Sequence, residues 1–211
     1  MVRTCLAALV LLGSHAAQAQ QMPSGDMSDR AIQMLLEMGQ DLEERAHGDL
    51  NGDGATDTVY VASSPDARFV HVMLATPRGP RQVGVLKLEP NPVRSARLSV
   101  ANLVLTVSDD VGASMGMASV YRYRFERRSG TMRLIGLDAK LIDRTLADDG
   151  YEMSWNLLTG DLMTRLLRVV ERQGRKIYQP AFEDRSKRRS KPLSMEQTPD
   201  PETVMIAIRR R

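Results

Sequence analysis

The chain has 211 residues, 29 of them basic and 26 acidic, for a net charge of +3, and only 4% are aromatic. Such a balanced, aromatic-poor composition argues against nucleic-acid binding, which uses a basic surface. The single cysteine, Cys5, lies in the first segment, so the remainder has no disulfide, no thiol nucleophile and no thiolate metal site.

Residues 1–19 have the pattern of a cleaved secretory signal. Arg3 supplies the positive start, Cys5 to Leu12 the apolar stretch, and Ala17-Gln18-Ala19 a small-x-small cleavage site that leaves Gln20 as the new terminus. The apolar stretch is shorter than the roughly 20 residues a bilayer span needs, and no later segment reaches that length. Cys5 precedes most of that stretch, which disfavours a lipid anchor at the cleavage point. The expected location is the periplasm or the medium outside a bacterial cell.

Residues 20–28 read as a flexible lead containing Pro23 and Gly25. Asp29 to Met38 holds good helix formers with an apolar stripe at Ile32, Leu35 and Leu36, and Gly39 is placed to end the helix. Asp41 to His47 reads either as an extension of that helix or as a short strand leading into a loop, and the strand is the favoured reading.

That loop, Asp49-Leu50-Asn51-Gly52-Asp53-Gly54-Ala55-Thr56-Asp57, is the most specific signal in the chain. Calcium takes six to eight oxygen ligands, and a short loop supplies them when side chains converge from alternate positions. Asp49, Asn51 and Asp53 occupy positions one, three and five. Ala55 offers its carbonyl at seven, and Asp57 sits at nine. Gly54 falls where the backbone must turn sharply. Position twelve is Tyr60, so the bidentate carboxylate of an EF-hand is missing and the expected Kd is roughly 10⁻⁵ to 10⁻³ M. Magnesium, which demands small octahedral geometry, is disfavoured. The competing reading is that Asn51-Gly52 and Asp53-Gly54 are ordinary turn dipeptides. Clustered carboxylates without a counter-ion would repel one another, which favours calcium.

The stretch from His47 to Gly54, followed by a strand, resembles the calcium loop of FG-GAP/VCBS-type repeats, the blades of integrin-like β-propellers. The resemblance implies Asp49, Asn51, Asp53 and Asp57 as ligands. No second copy exists, because Asp109-Asp110 and Asp148-Asp149-Gly150 lack the spacing, so a closed propeller of several blades is not expected. Tyr121-Arg122-Tyr123-Arg124-Phe125, Leu134-Ile135-Gly136 and Ser154 to Gly160 are similar to a group of small bacterial secreted proteins that carry one such loop near the N-terminus. That group has no assigned activity, so it implies architecture and location only.

After the loop the pattern has period two. Strands are expected over 58–62, 69–74, 82–88, 96–100, 103–107, 119–126, 131–137, 152–158, 162–171 and 176–178, separated by turn signals. These predict a mainly β fold, an antiparallel sheet domain over 29–182 with one short N-terminal helix. Residues 183–211 carry eight basic and five acidic residues and are expected to be a largely mobile basic tail. Weak contact of that tail with an anionic surface is a further expectation.

Other candidates are weaker. His47 and His71 lack zinc-type pairing. Asp109-Asp110 and Asp148-Asp149 read as solvated turns rather than an acid–base pair. Met115-Gly116-Met117 reads as packing rather than a copper ligand set. The Tyr121, Tyr123 and Phe125 stripe reads as a core face, with Arg122, Arg124, Arg127 and Arg128 on the opposite face or in the adjoining turn. No nucleophile elbow is present. The favoured function is a non-catalytic envelope or interaction module that meets an unknown protein or envelope component. The alternatives are a periplasmic hydrolase with dispersed active-site residues, or a ligand-binding or inhibitor protein that uses the aromatic β-face.

Overall fold

The computed structural model describes residues 32–33, 36–37, 39–91, 96–111 and 115–209. The expected signal sequence, its cleavage point and the flexible lead lie outside the described residues. Of the expected first helix, the described positions Ile32, Gln33, Leu36 and Glu37 are helical, and Gly39 follows at φ +77°.

The fold is mainly β and antiparallel, as the alternation predicts. Strands β1 (Asp41–Gly48), β2 (Asp57–Ser63), β3 (Arg68–Leu74) and β4 (Arg81–Leu88) form one sheet in sequential order. Strands β5 (Arg97–Ala101), β6 (Val104–Val111), β7 (Met115–Glu126), β8 (Thr131–Asp143), β9 (Gly150–Asn156), β10 (Asp161–Arg172) and β11 (Arg175–Lys187) form a second, also in sequential order. Each strand pairs with its chain neighbour, so every connection inside a sheet is a hairpin.

The two sheets share one core. Val59, Val61, Val70 and Val72 come from the first, and Leu105, Val107, Tyr121, Tyr123, Leu137 and Trp155 from the second. The first sheet is also covered on its other face, where Tyr60 and Ala62 pack with Ile32 and the half-buried Met73. This explains why β2 is buried at every position and carries apolar residues on both parities. The second sheet keeps a polar outer face. Lys140, Glu152, Arg165 and Glu183 lie directly opposite one another on β8 to β11, with alternating charge. Their contacts run at 3.0, 3.7 and 2.6 Å in that order.

The sheets approach most closely where β1 meets β5. A Cβ at Gly48 would lie 2.6 Å from Val100 Cγ1, so only glycine permits the contact. In β8 the register shifts so that Arg122 opposes Gly136 while Tyr123 opposes Leu134, leaving Ile135 as the extra residue. The shift lets Met132 and Leu134 before it, and Leu137 and Ala139 after it, all face the core. The Leu157 amide caps the displaced Ile135 carbonyl at 3.0 Å.

The expectation of a mobile tail after residue 182 is corrected over its described residues. β11 continues to Lys187, where a three-residue strand at 176–178 had been expected. Beyond it, the Arg188 amide bonds the Gly160 carbonyl and the Trp155 indole N–H donates to the Arg188 carbonyl at 2.9 Å. Leu193 and Ser194 then pair with β8, and a 3-10 turn, Met195–Gln197, lays a fully buried Met195 against Gly84 of β4. Glu196 caps the Val85 amide at 3.0 Å, and Tyr123 shares a hydroxyl bond with Thr198 at 2.8 Å. Helix α1 (Pro201–Arg209) starts with proline after Asp200, whose carboxylate accepts the Thr203 amide, and it buries Val204 and Met205. High charge hid a small apolar set, Leu193, Met195, Val204 and Met205, that closes the side of the core between β4 and β8.

β11 has β10 on one side only among the described residues, so it is the free edge of the second sheet. It carries Pro180 within its length, next to a register shift, and proline is confined to edges or bulges because it has no N–H. No helix among the described residues is long and apolar enough to cross a membrane.

Candidate functional site

The 49–56 loop joins β1 to β2, and its shape is set by its own side chains. Asp49 Oδ1 accepts the Asn51 amide at 3.1 Å and the Gly52 amide at 2.6 Å, and Oδ2 accepts the Gly54 amide at 3.0 Å. Asn51 Oδ1 accepts the Asp53 amide, Asn51 Nδ2 donates to Asp53 Oδ2, and Asp53 Oδ1 accepts the Ala55 amide, each at 2.8 Å. Gly52 at φ +76° and Gly54 at φ +82° supply the left-handed turns that aim those amides inward. The amide of Gly54, followed by those of Gly52 and Asn51, holds the Asp49 carboxyl below the ordinary aspartate pKa. Asp49 is therefore a fixed anion at neutral pH.

Asp57 behaves differently. Its side chain is buried, with Oδ2 accepting the Leu50 amide and Oδ1 the Ala75 amide, both at 2.8 Å. Burial pushes its pKa up, against those two bonds, and the charges of Asp53 and Asp49 add to the rise. It ties the loop to the end of β3, while Leu50, 1% exposed, anchors the loop in the core.

Of the five residues expected to hold a cation, the structure links Asp49, Asn51 and Asp53 by direct hydrogen bonds. Ala55 closes that chain through its amide, and Asp57 turns to the loop's inner anchor. The donor set is all oxygen and largely anionic, the chemistry a hard cation selects; Asp49 Oδ1 already accepts two amides, while Asp49 Oδ2, Asn51 Oδ1 and both Asp53 oxygens each accept one. Among the described residues, no group of three or more His, Cys, Asp or Glu side chains is placed to share one metal ion.

The loop forms one wall of a cleft of about 390 Å³. Leu74, Pro77 and Phe125 line it, together with Arg81, Arg127 and Asp53 from three separate segments. Arg127 Nη2 donates to the Asn51 carbonyl at 2.8 Å, which couples the β7–β8 turn to the loop.

The remaining candidates also resolve. Asp109 is not in a solvated turn: it lies within β6, buried, where Arg68 binds it. Alternation in the strand was masked by its polar end. Asp148 and Asp149 do lie in the exposed turn after β8. Met115 to Met117 open β7, and Met117 packs on the core. Tyr121 and Tyr123 are 7% and 0% exposed, so these two rings of the aromatic stripe are core as expected, while Phe125 is half-buried and lines the cleft. Arg122 sits on the opposite face and pairs with Asp138 at 2.6 Å. His71 stacks on Tyr60 at 5.0 Å between ring centroids, and burial lowers its pKa. His47 lies 3.3 Å from Thr58 Oγ1.

Sequence reasoning missed the buried cluster of Arg68, Glu43 and Asp109, and it missed Arg81. An arginine opening an apolar strand was the only visible sign of the first, and nothing marked the second. Fold and site together define a two-sheet antiparallel β protein with an Asp/Asn-built loop beside a small arginine-lined cleft. No protein-family model, curated protein or solved structure matches this chain.

Proposed function

We propose that this chain is a calcium-stabilised, secreted or periplasmic β-module that acts by binding a protein or envelope component rather than by catalysis. The observation that carries the reading is the Asp49 carboxylate, kept ionised by three loop amides and chained to Asn51 and Asp53. A loop with that much ordered anionic oxygen gains from a divalent counter-ion. A ligand that binds only the folded state raises stability in proportion to the logarithm of its concentration. Calcium would fix the loop, the start of β2 and, through Arg127, the neighbouring turn.

The test is calorimetry with calcium and with chelator. Calcium should release or absorb heat on titration and raise the melting temperature. Asp53→Ala should abolish that rise while leaving the chelator curve close to wild type. No heat and superimposable melts would overturn the reading. A pull-down from periplasmic extract, in which a captured component is lost on chelation, tests the module role.

A further inference from the structure

We propose that the β10–β11 hairpin docks on an anionic phospholipid bilayer, laying Arg168, Arg172 and Arg175 against the headgroups and Val170, Ile177 and Phe182 into the layer beneath. This deepens the envelope-module reading by naming the envelope component, and rests on it.

β9 pairs with β10 only as far as Leu167, so Arg168 to Arg172 and Arg175 to Gln179 pair with each other alone. Side chains directly opposite in an antiparallel pair share a face. One face of the hairpin therefore carries Arg168 with Gln179, Val170 with Ile177, and Arg172 with Arg175. The other carries Val169 with Tyr178 and Glu171 with Lys176. That second face is held down: the Tyr178 hydroxyl donates to the Asp143 carbonyl at 2.8 Å, and Lys176 Nζ reaches the Leu146 carbonyl at 3.5 Å. The first face continues the side of β10 that buries Leu162 in the core, but runs on past it into the open.

Glu171 is the sole acid between Arg168 and Gln179, and it lies on the tethered face. The open face is therefore cationic, and the next acid along it is Asp184, beyond Phe182. Among the described residues none of the three arginines is ion-paired, and Arg172 Nη2 donates to the neutral Gln179 Oε1 at 3.0 Å. Ala181 is an extra residue in β11, since Leu166 opposes Phe182 while Leu167 opposes Pro180. Without that bulge Phe182 would fall on the tethered face; with it, the ring joins Ile177 beside the arginines. Ile177 is 40% and Phe182 64% exposed, an apolar pair set among unpaired cations.

Charge and apolar surface together select the occupant. A soluble polyanion would engage the guanidinium groups and leave Ile177 and Phe182 in water. A bilayer interface takes both, with phosphate at the depth of the arginines and the acyl boundary below. The face from Leu166 to Arg172 is about 24 Å long and about 10 Å wide. That is well short of the roughly 800 Å² that each side of a stable protein interface buries. A headgroup layer instead adds attraction for every basic residue it meets.

The experiment sediments the whole protein with vesicles of phosphatidylcholine and phosphatidylglycerol, against pure phosphatidylcholine vesicles, in chelator throughout. Binding should require phosphatidylglycerol and should be released between about 0.1 and about 0.5 M salt. Arg168→Gln, Arg172→Gln and Arg175→Gln combined should lower the partition coefficient about 100-fold, at about fivefold per residue. Arg78→Gln, Lys87→Gln and Lys191→Gln combined remove the same charge from exposed positions elsewhere and should change it by about twofold at most. Phe182→Trp should shift its emission to the blue on the anionic vesicles, which reads insertion whether or not the arginine variant folds. No binding, no blue shift, or an equal loss from the two triple variants overturns the proposal. So does binding to soluble polyglutamate with none to vesicles, since the occupant would then be an acidic polypeptide. Because chelator removes calcium, vesicle binding and the calcium-dependent melting shift succeed or fail separately.

Discussion

Arg68 of β3 and Asp109 of β6 meet across the junction of the two sheets, with Nη2 3.0 Å from Oδ1 and Nη1 3.2 Å from Oδ2. The same guanidinium grips Glu43, with Nε at 2.9 Å and Nη2 at 2.6 Å, and Nη1 reaches the Glu89 carbonyl at 2.8 Å. All five N–H donors are thereby used. The three side chains are 1%, 1% and 5% exposed, so two carboxylates and one guanidinium are buried together. Burial alone would lower the Arg68 pKa, but the bonds to Glu43 and Asp109 outweigh it and raise it. Arg68→Met removes the only cation and strands two buried anions. It should destabilise the protein by about 3–5 kcal/mol, read from urea unfolding. Asp109→Asn, which discards the surplus negative charge, should cost only about 1–2 kcal/mol.

The pH dependence has two opposed parts. Burial raises the pKa of Asp109 and of Asp57, so their ionised forms weigh against folding at neutral pH. That penalty is relieved as pH falls through their raised folded values. The Asp49 pKa is lowered, so its contribution is present above the unfolded value and is lost as pH falls through the lower folded one. Stability should therefore hold or rise slightly on mild acidification and then collapse. Asp109→Asn should flatten the first limb without moving the second, as seen in unfolding curves taken from neutral pH to about pH 3.

Gly48 touches Val100 where the sheets converge. Gly48→Ala should cost about 1–3 kcal/mol by overpacking. Val100→Ala in the same molecule should restore part of that loss. A double-mutant cycle with no coupling would show that the approach is not tight.

Met195 plugs the opposite side of the core. Met195→Ala should lose about 2–5 kcal/mol and increase dye binding by exposed apolar surface, because Gly84 and Met132 lose their neighbour. Near-neutral stability would mean that the C-terminal segment is an ornament rather than part of the core.

The strands were legible because a half-buried antiparallel strand writes its two faces into alternate residues. Val70, Val72 and Leu74 against Phe69, His71 and Met73 show it plainly. β8 was only partly legible, since the extra residue at Ile135 reverses the parity midway. β11 was underestimated because its exposed, charged residues carry no apolar alternation, while its hydrogen bonds to β10 are made by backbone. The division into two sheets left no local mark, being decided where β4 gives way to β5. The loop was legible because its spacing is chemically specific, yet the inward turn of Asp57 follows from the distant Ala75 amide. The Arg68 cluster joins β1, β3 and β6, and no window of sequence brings those together.

Pro180 has one last implication. The outer rim of β11 is a long row of peptide groups, the kind of template on which identical chains stack into fibrils. An imino acid midway interrupts that template, and the adjacent bulge bends it. Crowded molecules should thus remain discrete instead of zippering laterally into cross-β polymer.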